Sequence, residues 1–305
     1  MTHDLIDGVI LLWFIEVALF ATWVAIDIQW TPESPVMKWG FVIMTLYTGP
    51  FGALLYAISC REPLPGTHQA FVAARWKQVV GSTMHCVAGD GIGILAAATV
   101  TAALKLPLGL HLIPEYLLGF LFGWTIFQAL FMKDMVGGSY RRSLAATFLP
   151  ELLSMNGVMA GMAAVMVPWM TRDPLAMEPT SPRFWFTMSI ALTAGFLIAY
   201  PINWWLVERG LKHGMMTVRP SGKPVPHAAG LVLAGEALRL SLAVRPLESS
   251  AASMSGVSSM PDISQSAQHR TTSGELARMT VLTFIVLAAG IAVVGIAGNL
   301  SMRPG

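Results

Sequence analysis

The 305-residue chain is 54% hydrophobic and only 12% charged, with a formal net charge of +2 and a mean hydropathy of +0.61. It is too apolar for a soluble domain of this length, which predicts an integral membrane protein in a lipid bilayer. The nearly neutral charge argues against nucleic-acid binding. Two cysteines, Cys60 and Cys86, lie in or beside apolar segments and form neither a disulfide framework nor a zinc motif. Composition leaves the oligomeric state open.

Apolar segments of about 20 residues are typical of helices that cross a bilayer. Seven segments approach this length: 8–28, 38–58, 78–103, 113–132, 150–169, 184–206 and 277–298. They predict an all-α polytopic bundle of about seven spanning helices. We expect a six-helix membrane core over 1–218, a flexible cytoplasmic linker rich in Pro and Ser over 219–275, and a C-terminal membrane helix over 276–305.

The basic residues predict an orientation. They concentrate in the connections at 61–77, 133–142 and 209–223. With seven spans, these connections lie on one side of the membrane together with the N-terminus. The positive-inside rule places that side in the cytoplasm and the C-terminus outside. We therefore expect a multi-pass protein of the bacterial inner membrane with a cytoplasmic N-terminus.

The third segment contains the strongest candidate site. Within a few positions it carries four groups that bind metals or protons: Met84, His85, Cys86 and Asp90. Cys86 and Asp90 are four residues apart and share a helix face. Imidazole and sulfur ligands suit Cu(I), while a carboxylate can exchange protons. Neighbouring helices could instead satisfy each polar group, and the nearby Gly89 and Gly93 favour close helix packing.

The fifth segment carries a second pattern. Its members recur at intervals of three or four residues and share one helical stripe, namely Glu151, Met155, Met159, Met162 and Met166. A ladder of thioethers suits stepwise passage of a soft cation. Methionine is equally a common gap-filler in apolar packing, so this alternative stays open. Asn156, offset from the stripe, is expected to hydrogen-bond across helices.

Two further features have ionisable groups near the bilayer. Glu16 lies in the middle of the first segment and is a candidate proton or ion site. Its alternative is a buried hydrogen bond to Asn203 or Gln128. The run 212–216, Lys-His-Gly-Met-Met, follows the sixth segment and could pass a metal ion to or from a pore, but it is also typical of a basic anchor beside the membrane.

Three runs together resemble a known family: 79–93, 151–162 and 200–215. They are similar to a bacterial integral-membrane family catalogued as domain of unknown function 4396, over roughly residues 5–218. The resemblance implies a polytopic bundle and no particular activity.

The expected function is to bind or transport a soft metal cation, with copper as the expected substrate or ligand. The expected metal ligands are His85, Cys86, Met84, Met155, Met159 and Met162, and the expected proton or ion coupling groups are Asp90, Glu151 and Glu16. Two alternatives are a proton-coupled carrier of a small organic solute and a non-catalytic accessory membrane subunit. No hydrolase motif is present, so we do not expect an enzyme or catalytic residues.

Overall fold

The computed structural model describes residues 2–133, 138–215 and 272–304, with side chains from residue 5 onward. These residues form helices and contain no strand, which confirms the predicted all-α class. The helices are α1 (Thr2–Asp27), α2 (Pro35–Thr48), α3 (Pro50–Ser59), α4 (His68–Val72), α5 (Arg75–Ala103), α6 (Leu108–Phe122), α7 (Ala129–Met132), α8 (Tyr140–Arg172), α9 (Pro182–Glu208) and α10 (Ser273–Ala297). A π-helical segment, Gly123–Gln128, joins α6 to α7. The predicted linker lies almost entirely outside the described residues.

Six helical segments are long and apolar enough to cross a bilayer: Leu5–Trp30, Arg75–Ala103, Leu108–Met132, Tyr140–Arg172, Pro182–Glu208 and Ser273–Ala297. The chain is therefore a multi-pass membrane protein. Six of the seven predicted spans overlap these segments. The largest extension is at α8, which begins ten residues before the predicted 150–169 because Ser139 caps its first turn by accepting a hydrogen bond from the Arg142 amide.

The predicted second span, 38–58, is wrong as a single crossing, because the chain folds back on itself at Gly49. Gly49 has φ +57° and ψ −123°, a conformation that side chains other than hydrogen rarely adopt. A Cβ on Gly52 would lie 2.7 Å from the Cα of Thr45, and the rings of Phe41 and Tyr56 pack at 5.6 Å. Helices α2 and α3 therefore form a helical hairpin.

The hairpin enters the bundle and returns to the same end. At its base, the Tyr56 hydroxyl donates to Asp27 Oδ2 at 2.7 Å, at the end of α1. At its tip, a Cβ on Gly49 would lie 2.9 Å from Val17, near the middle of α1. Helices of 14 and 10 residues are about 21 and 15 Å long, which is too short to cross a core of about 30 Å. This hairpin is re-entrant.

The hairpin changes which groups share an end of the bundle. The basic end carries the ion pairs Arg75–Glu208 and Arg209–Glu275. At the opposite end, the N-terminal part of α1 meets the start of α9, where Arg183 pairs with Asp7 at 2.8 Å. The prediction that the N-terminus lies beside the basic connections is therefore wrong, because the chain crosses once, and not twice, before α5.

The centre of the bundle is built from α5, α8 and α9, with α6 beside α5. Small residues allow close contact: a Cβ on Gly161 would lie 2.6 Å from the Ala194 carbonyl oxygen. Gly93 approaches the backbone of Leu118, as predicted for a packing surface. Helix α10 packs on α8, where Asn156 donates to Thr283 Oγ1 at 3.1 Å. This contact confirms the expected hydrogen bond of Asn156 across helices.

Candidate functional site

Five polar side chains meet in the interior of the bundle, and we call them the central cluster. They come from α5, the π-helical segment, α8 and the chain after α9: Cys86, Asp90, Gln128, Glu151 and Lys212. Each residue is buried, and none is more than 6% exposed. Polar groups at such depth are expensive unless they are paired, so their contacts determine what the cluster can do.

The cluster is centred on the contacts of Lys212 and Cys86. Lys212 Nζ donates to Glu151 Oε2 at 2.9 Å and to Cys86 Sγ at 2.7 Å. Gln128 Nε2 also donates to Cys86 Sγ at 2.8 Å, and the thiol donates to Glu151 Oε2 at 3.3 Å. The Lys212–Glu151 ion pair is shielded from solvent, with side chains 2% and 0% exposed.

The second carboxyl group, Asp90, lies beside Glu151 across Gly123. A Cβ on Gly123 would collide with Asp90 Oδ1 and lie 2.6 Å from Glu151 Oε1. Gly123 begins the π-helical segment that also carries Gln128. Single π-helical turns inside α-helices are frequent at functional sites. The absence of a side chain at Gly123 thus makes room for two neighbouring carboxyl groups.

Lys212 reaches the cluster because the chain turns back into the bundle after α9. The amide of Lys212 donates to the Leu206 carbonyl at 3.2 Å. Further along, Gln78 Nε2 donates to the Met215 carbonyl at 3.1 Å, which fixes the segment against the start of α5. Burial alone would lower the pKa of Lys212, but Cys86 and Glu151 outweigh burial and hold that pKa above its ordinary value. The short contact with Glu151 favours the ammonium form of the lysine.

The ring of His85 lies among aromatic side chains. Its ring packs against Phe127 and Phe131, with ring centroids 5.5 and 4.9 Å apart. Among the described residues, its Nε2 atom has no hydrogen-bond partner. Within that part of the chain His85, Cys86 and Asp90 do not converge as three ligand atoms. The predicted site is thus divided into an aromatic contact and a charged cluster.

The remaining predicted site residues lie in different surroundings. Met84, Met155, Met159 and Met162 are all buried in the apolar core. Met155 packs against Gly119 of α6, and Met162 packs against Gly195 of α9. Glu16 is half-buried on α1, next to the part of α1 that touches the hairpin tip, and takes no part in the central cluster. Its suggested partners are engaged elsewhere: Asn203 bonds Ser154, and Gln128 bonds Cys86.

Sequence reasoning missed three participants or neighbours. Lys212 was interpreted as a surface anchor, and Gln128 only as a partner for Glu16. Glu115 of α6 is absent from the predicted site, although it is fully buried and its carboxyl oxygens have no hydrogen-bond partner among the described residues. An ionisable residue in an apolar segment indicates a candidate functional site, and Glu115 is such a residue.

A groove of about 650 Å³ between α1, α8 and α9 is separate from the cluster. It lies near the opposite end and is lined mainly by apolar side chains, including Leu5, Val9, Trp169 and Phe186, with Arg172 and Asp173 also present. None of the residues that line the groove belongs to the central cluster.

Residues 75–212 match the model of the family described as "Domain of unknown function (DUF4396)". No curated protein and no solved structure matches the chain. The matched residues are fewer than the expected 5–218, but they run from the start of α5 to Lys212 and include every member of the central cluster. Residues 75–212 are thus similar to the DUF4396 family, which confirms the predicted resemblance over this range.

Proposed function

We propose that this protein is a proton-coupled membrane carrier, and that Asp90, Glu151 and Lys212 form its proton-transfer centre. The observation that carries the proposal is the buried contact of Lys212 Nζ with Glu151 Oε2 at 2.9 Å, in the interior of membrane-crossing helices. Ionisable groups at such a depth are costly and commonly belong to proton or ion pathways. A structural ion pair alone would not need the second carboxyl group.

The charge balance of the centre supports proton exchange. One ammonium group neutralises one carboxylate, and Asp90 beside Glu151 then adds a second acidic group. Because an uncompensated buried charge is strongly unfavourable, the centre is neutral when the two carboxyl groups together hold one proton. Gain of a second proton removes the negative charge that holds Lys212. We propose that this event releases the segment 209–215 and thereby opens the centre to one end of the bundle.

A soft cation such as Cu(I) is the second candidate cargo. Cys86 Sγ supports it, because Cu(I) prefers sulfur ligands and the neighbouring carboxylate of Glu151 could balance the charge of the cation. However, Lys212 and Gln128 both donate to the same sulfur, so a cation would have to displace Lys212. The cation and the ammonium group of Lys212 would then compete for the same sulfur atom of Cys86. Proton uptake by Glu151 would remove a negative charge that stabilises either of them there.

Proteoliposomes that contain a pH-sensitive dye test the proposal. Under an imposed pH gradient, the wild-type protein is expected to move protons, and Glu151→Gln, Asp90→Asn and Lys212→Met are expected to reduce the rate at least tenfold. Glu16→Gln is the matched control, because this carboxyl group lies in a span outside the cluster. Equal proton movement in wild type and Glu151→Gln would contradict the proposal.

The same vesicles distinguish the cargo. Copper-dependent proton movement that is lost in Cys86→Ser supports the cation. Movement driven by an organic solute and retained in Cys86→Ser supports the alternative cargo. A protein that moves no protons under any condition, and that co-purifies with a stoichiometric partner in mild detergent, would instead be an accessory subunit.

We further propose that the basic end faces the cytoplasm of a bacterial cell, with the protein in the inner membrane. Arg61, Arg75, Arg142 and Arg209 lie at or next to that end, which supports this orientation by the positive-inside rule. The N-terminal end of α1 and the residues after α10 then lie on the outer side.

A further inference from the structure

A second group of metal-binding side chains lies at the base of the re-entrant hairpin, outside residues 75–212. It consists of Glu33, from the connection before α2, Cys60, at the end of α3, and His68, at the start of α4. One ligand atom from each residue lies within 4.8 Å of the other two, and all three residues are buried. Three separate elements thus bring a carboxylate, a thiol and an imidazole to one point.

Backbone groups hydrogen-bond two of the three side chains, those of Glu33 and His68. Glu33 Oε2 accepts a hydrogen bond from the Ser34 amide at 3.2 Å, while its Oε1 faces His68 Nε2 at 3.8 Å. The backbone of Cys60 hydrogen-bonds the His68 ring. Outer hydrogen bonds of this kind fix the rings and carboxylates that bind metals. The separation of 3.8 Å is within reach of two atoms on one tetrahedral ion, which are about 3.3 to 3.8 Å apart for bonds of about 2.0 to 2.3 Å.

We propose that Glu33, Cys60 and His68 bind one zinc-type divalent cation. A mixed set of sulfur, nitrogen and oxygen ligands is typical of zinc sites. One thiolate and one carboxylate balance the two positive charges, so the complex is neutral, as a buried site requires. The carboxylate ligand disfavours Cu(I), which prefers sulfur. Three protein ligands leave a fourth position on the metal for water.

The metal would join the base of the hairpin to the connection that leads into α5. The same corner is already held by Asp27, which accepts from Tyr56 at 2.7 Å and pairs with Arg61 at 2.8 Å. A bound cation would add a link between the end of α3 and α4. This role does not depend on proton movement through the central cluster, so the two proposals succeed or fail separately.

Cobalt titration of the purified full-length protein tests the site, because Co²⁺ bound to thiolate has an intense charge-transfer absorption and Zn²⁺ displaces it. We expect one Co²⁺ per chain, a thiolate band, and loss of that band in Cys60→Ser. Cys86→Ser is the matched control, because these are the two cysteines of the chain, and the band is expected to persist in it. A band that is lost in Cys86→Ser and kept in Cys60→Ser would overturn the proposal, and so would the absence of bound Co²⁺.

A second variant guards against misfolding of Cys60→Ser. Glu33→Gln keeps the size of the side chain, and we expect it to weaken cobalt affinity by more than about tenfold, the loss typical of removing even an outer hydrogen-bond partner. Wild type is expected to gain thermal stability with added Zn²⁺, by an amount that rises with the logarithm of the free Zn²⁺ concentration, since a ligand that binds the folded state stabilises it. Unchanged cobalt affinity in Glu33→Gln, or no zinc-dependent stabilisation of wild type, would contradict the site.

Discussion

Lys212 lies on a connecting segment, yet its ammonium group is buried between Glu151 and Cys86. The run 212–216 is recognisable in the sequence as a group of polar and sulfur-containing residues beside a membrane helix. The prediction that Cys86 and Asp90 share one helix face is confirmed by their common neighbour Glu151. A basic residue just past a membrane helix is usually an interfacial anchor, so local composition favoured the wrong environment for Lys212. What sequence could not supply is the return of the chain after α9, which depends on contacts with Gln78, far away in the sequence.

Replacing Lys212 by Met is expected to destabilise the protein by about 3 to 5 kcal/mol, because it leaves a buried carboxylate without its partner. Thermal unfolding in detergent measures this loss. The double variant Lys212→Met with Glu151→Gln is expected to recover part of it, since the unpaired charge is then removed. A double variant less stable than Lys212→Met would contradict the inference that the ion pair dominates.

Arg75→Ala provides the matched control for that measurement. The Arg75–Glu208 pair has a similar short distance of 2.6 Å, but its side chains are 55% and 44% exposed. Exposed pairs typically contribute about 0 to 1 kcal/mol. We therefore expect a small change, and a loss equal to that of Lys212→Met would show that burial is not the deciding variable.

Gly123→Ala tests whether space for the two carboxyl groups is essential. Alanine is the better helix former by about 1 kcal/mol, so this substitution would stabilise an open site. At Gly123 the added methyl group collides with Asp90 and Glu151, and we expect lower thermal stability and slower proton movement. Gly295→Ala on α10, where no atom lies within 4 Å of the added Cβ, is expected to be neutral or stabilising. Equal behaviour of the two variants would contradict the steric argument.

At the scale of helices, six spans were predictable from apolar length, but the hairpin was not recognised. The segment 38–58 is long and apolar enough to be taken for a crossing. The one local signal against it is Gly49-Pro50, because this dipeptide marks turns. Whether such a turn bends a spanning helix or reverses it depends on packing against α1 and α5, which the sequence alone does not specify.

Gly49→Ala is expected to destabilise the hairpin. The backbone conformation of Gly49 is strained for any larger residue, at about 1 to 3 kcal/mol, and the new Cβ would lie 2.9 Å from Val17. Thermal unfolding, with Gly295→Ala as the control for adding a methyl group, measures the effect. A variant as stable as wild type would mean that the chain does not reverse at Gly49.

For the whole molecule, composition correctly predicted a membrane protein, and the resemblance correctly identified the family of residues 75–212. The described residues of the three basic connections also lie at one end of the bundle, as predicted. The predicted position of the N-terminus beside the basic connections is wrong, because that prediction depends on the number of crossings before each connection. One segment wrongly counted as a crossing moves everything before it to the other side.

A membrane-impermeant thiol reagent tests the proposed orientation. We expect it to label Ser301→Cys in intact cells and to label Arg142→Cys only after the cells are opened, because the two exposed positions lie at opposite ends of the bundle. The natural cysteines are both buried and provide the background. Labelling of Arg142→Cys in intact cells would contradict a cytoplasmic basic end.

The reversal at Gly49 also has a consequence for biogenesis. During insertion, the segment around α2 and α3 is apolar enough to be accepted as a crossing. In one topology α2 and α3 would then cross the membrane and in the other they turn back, and the two topologies place the start of α1 on opposite sides. The hairpin stays re-entrant only if its tip finds protein and not lipid, since irregular backbone at that depth must be covered. Helix α1 supplies part of that cover through Val17. A single glycine-proline turn thus decides on which side of the membrane the first helix begins.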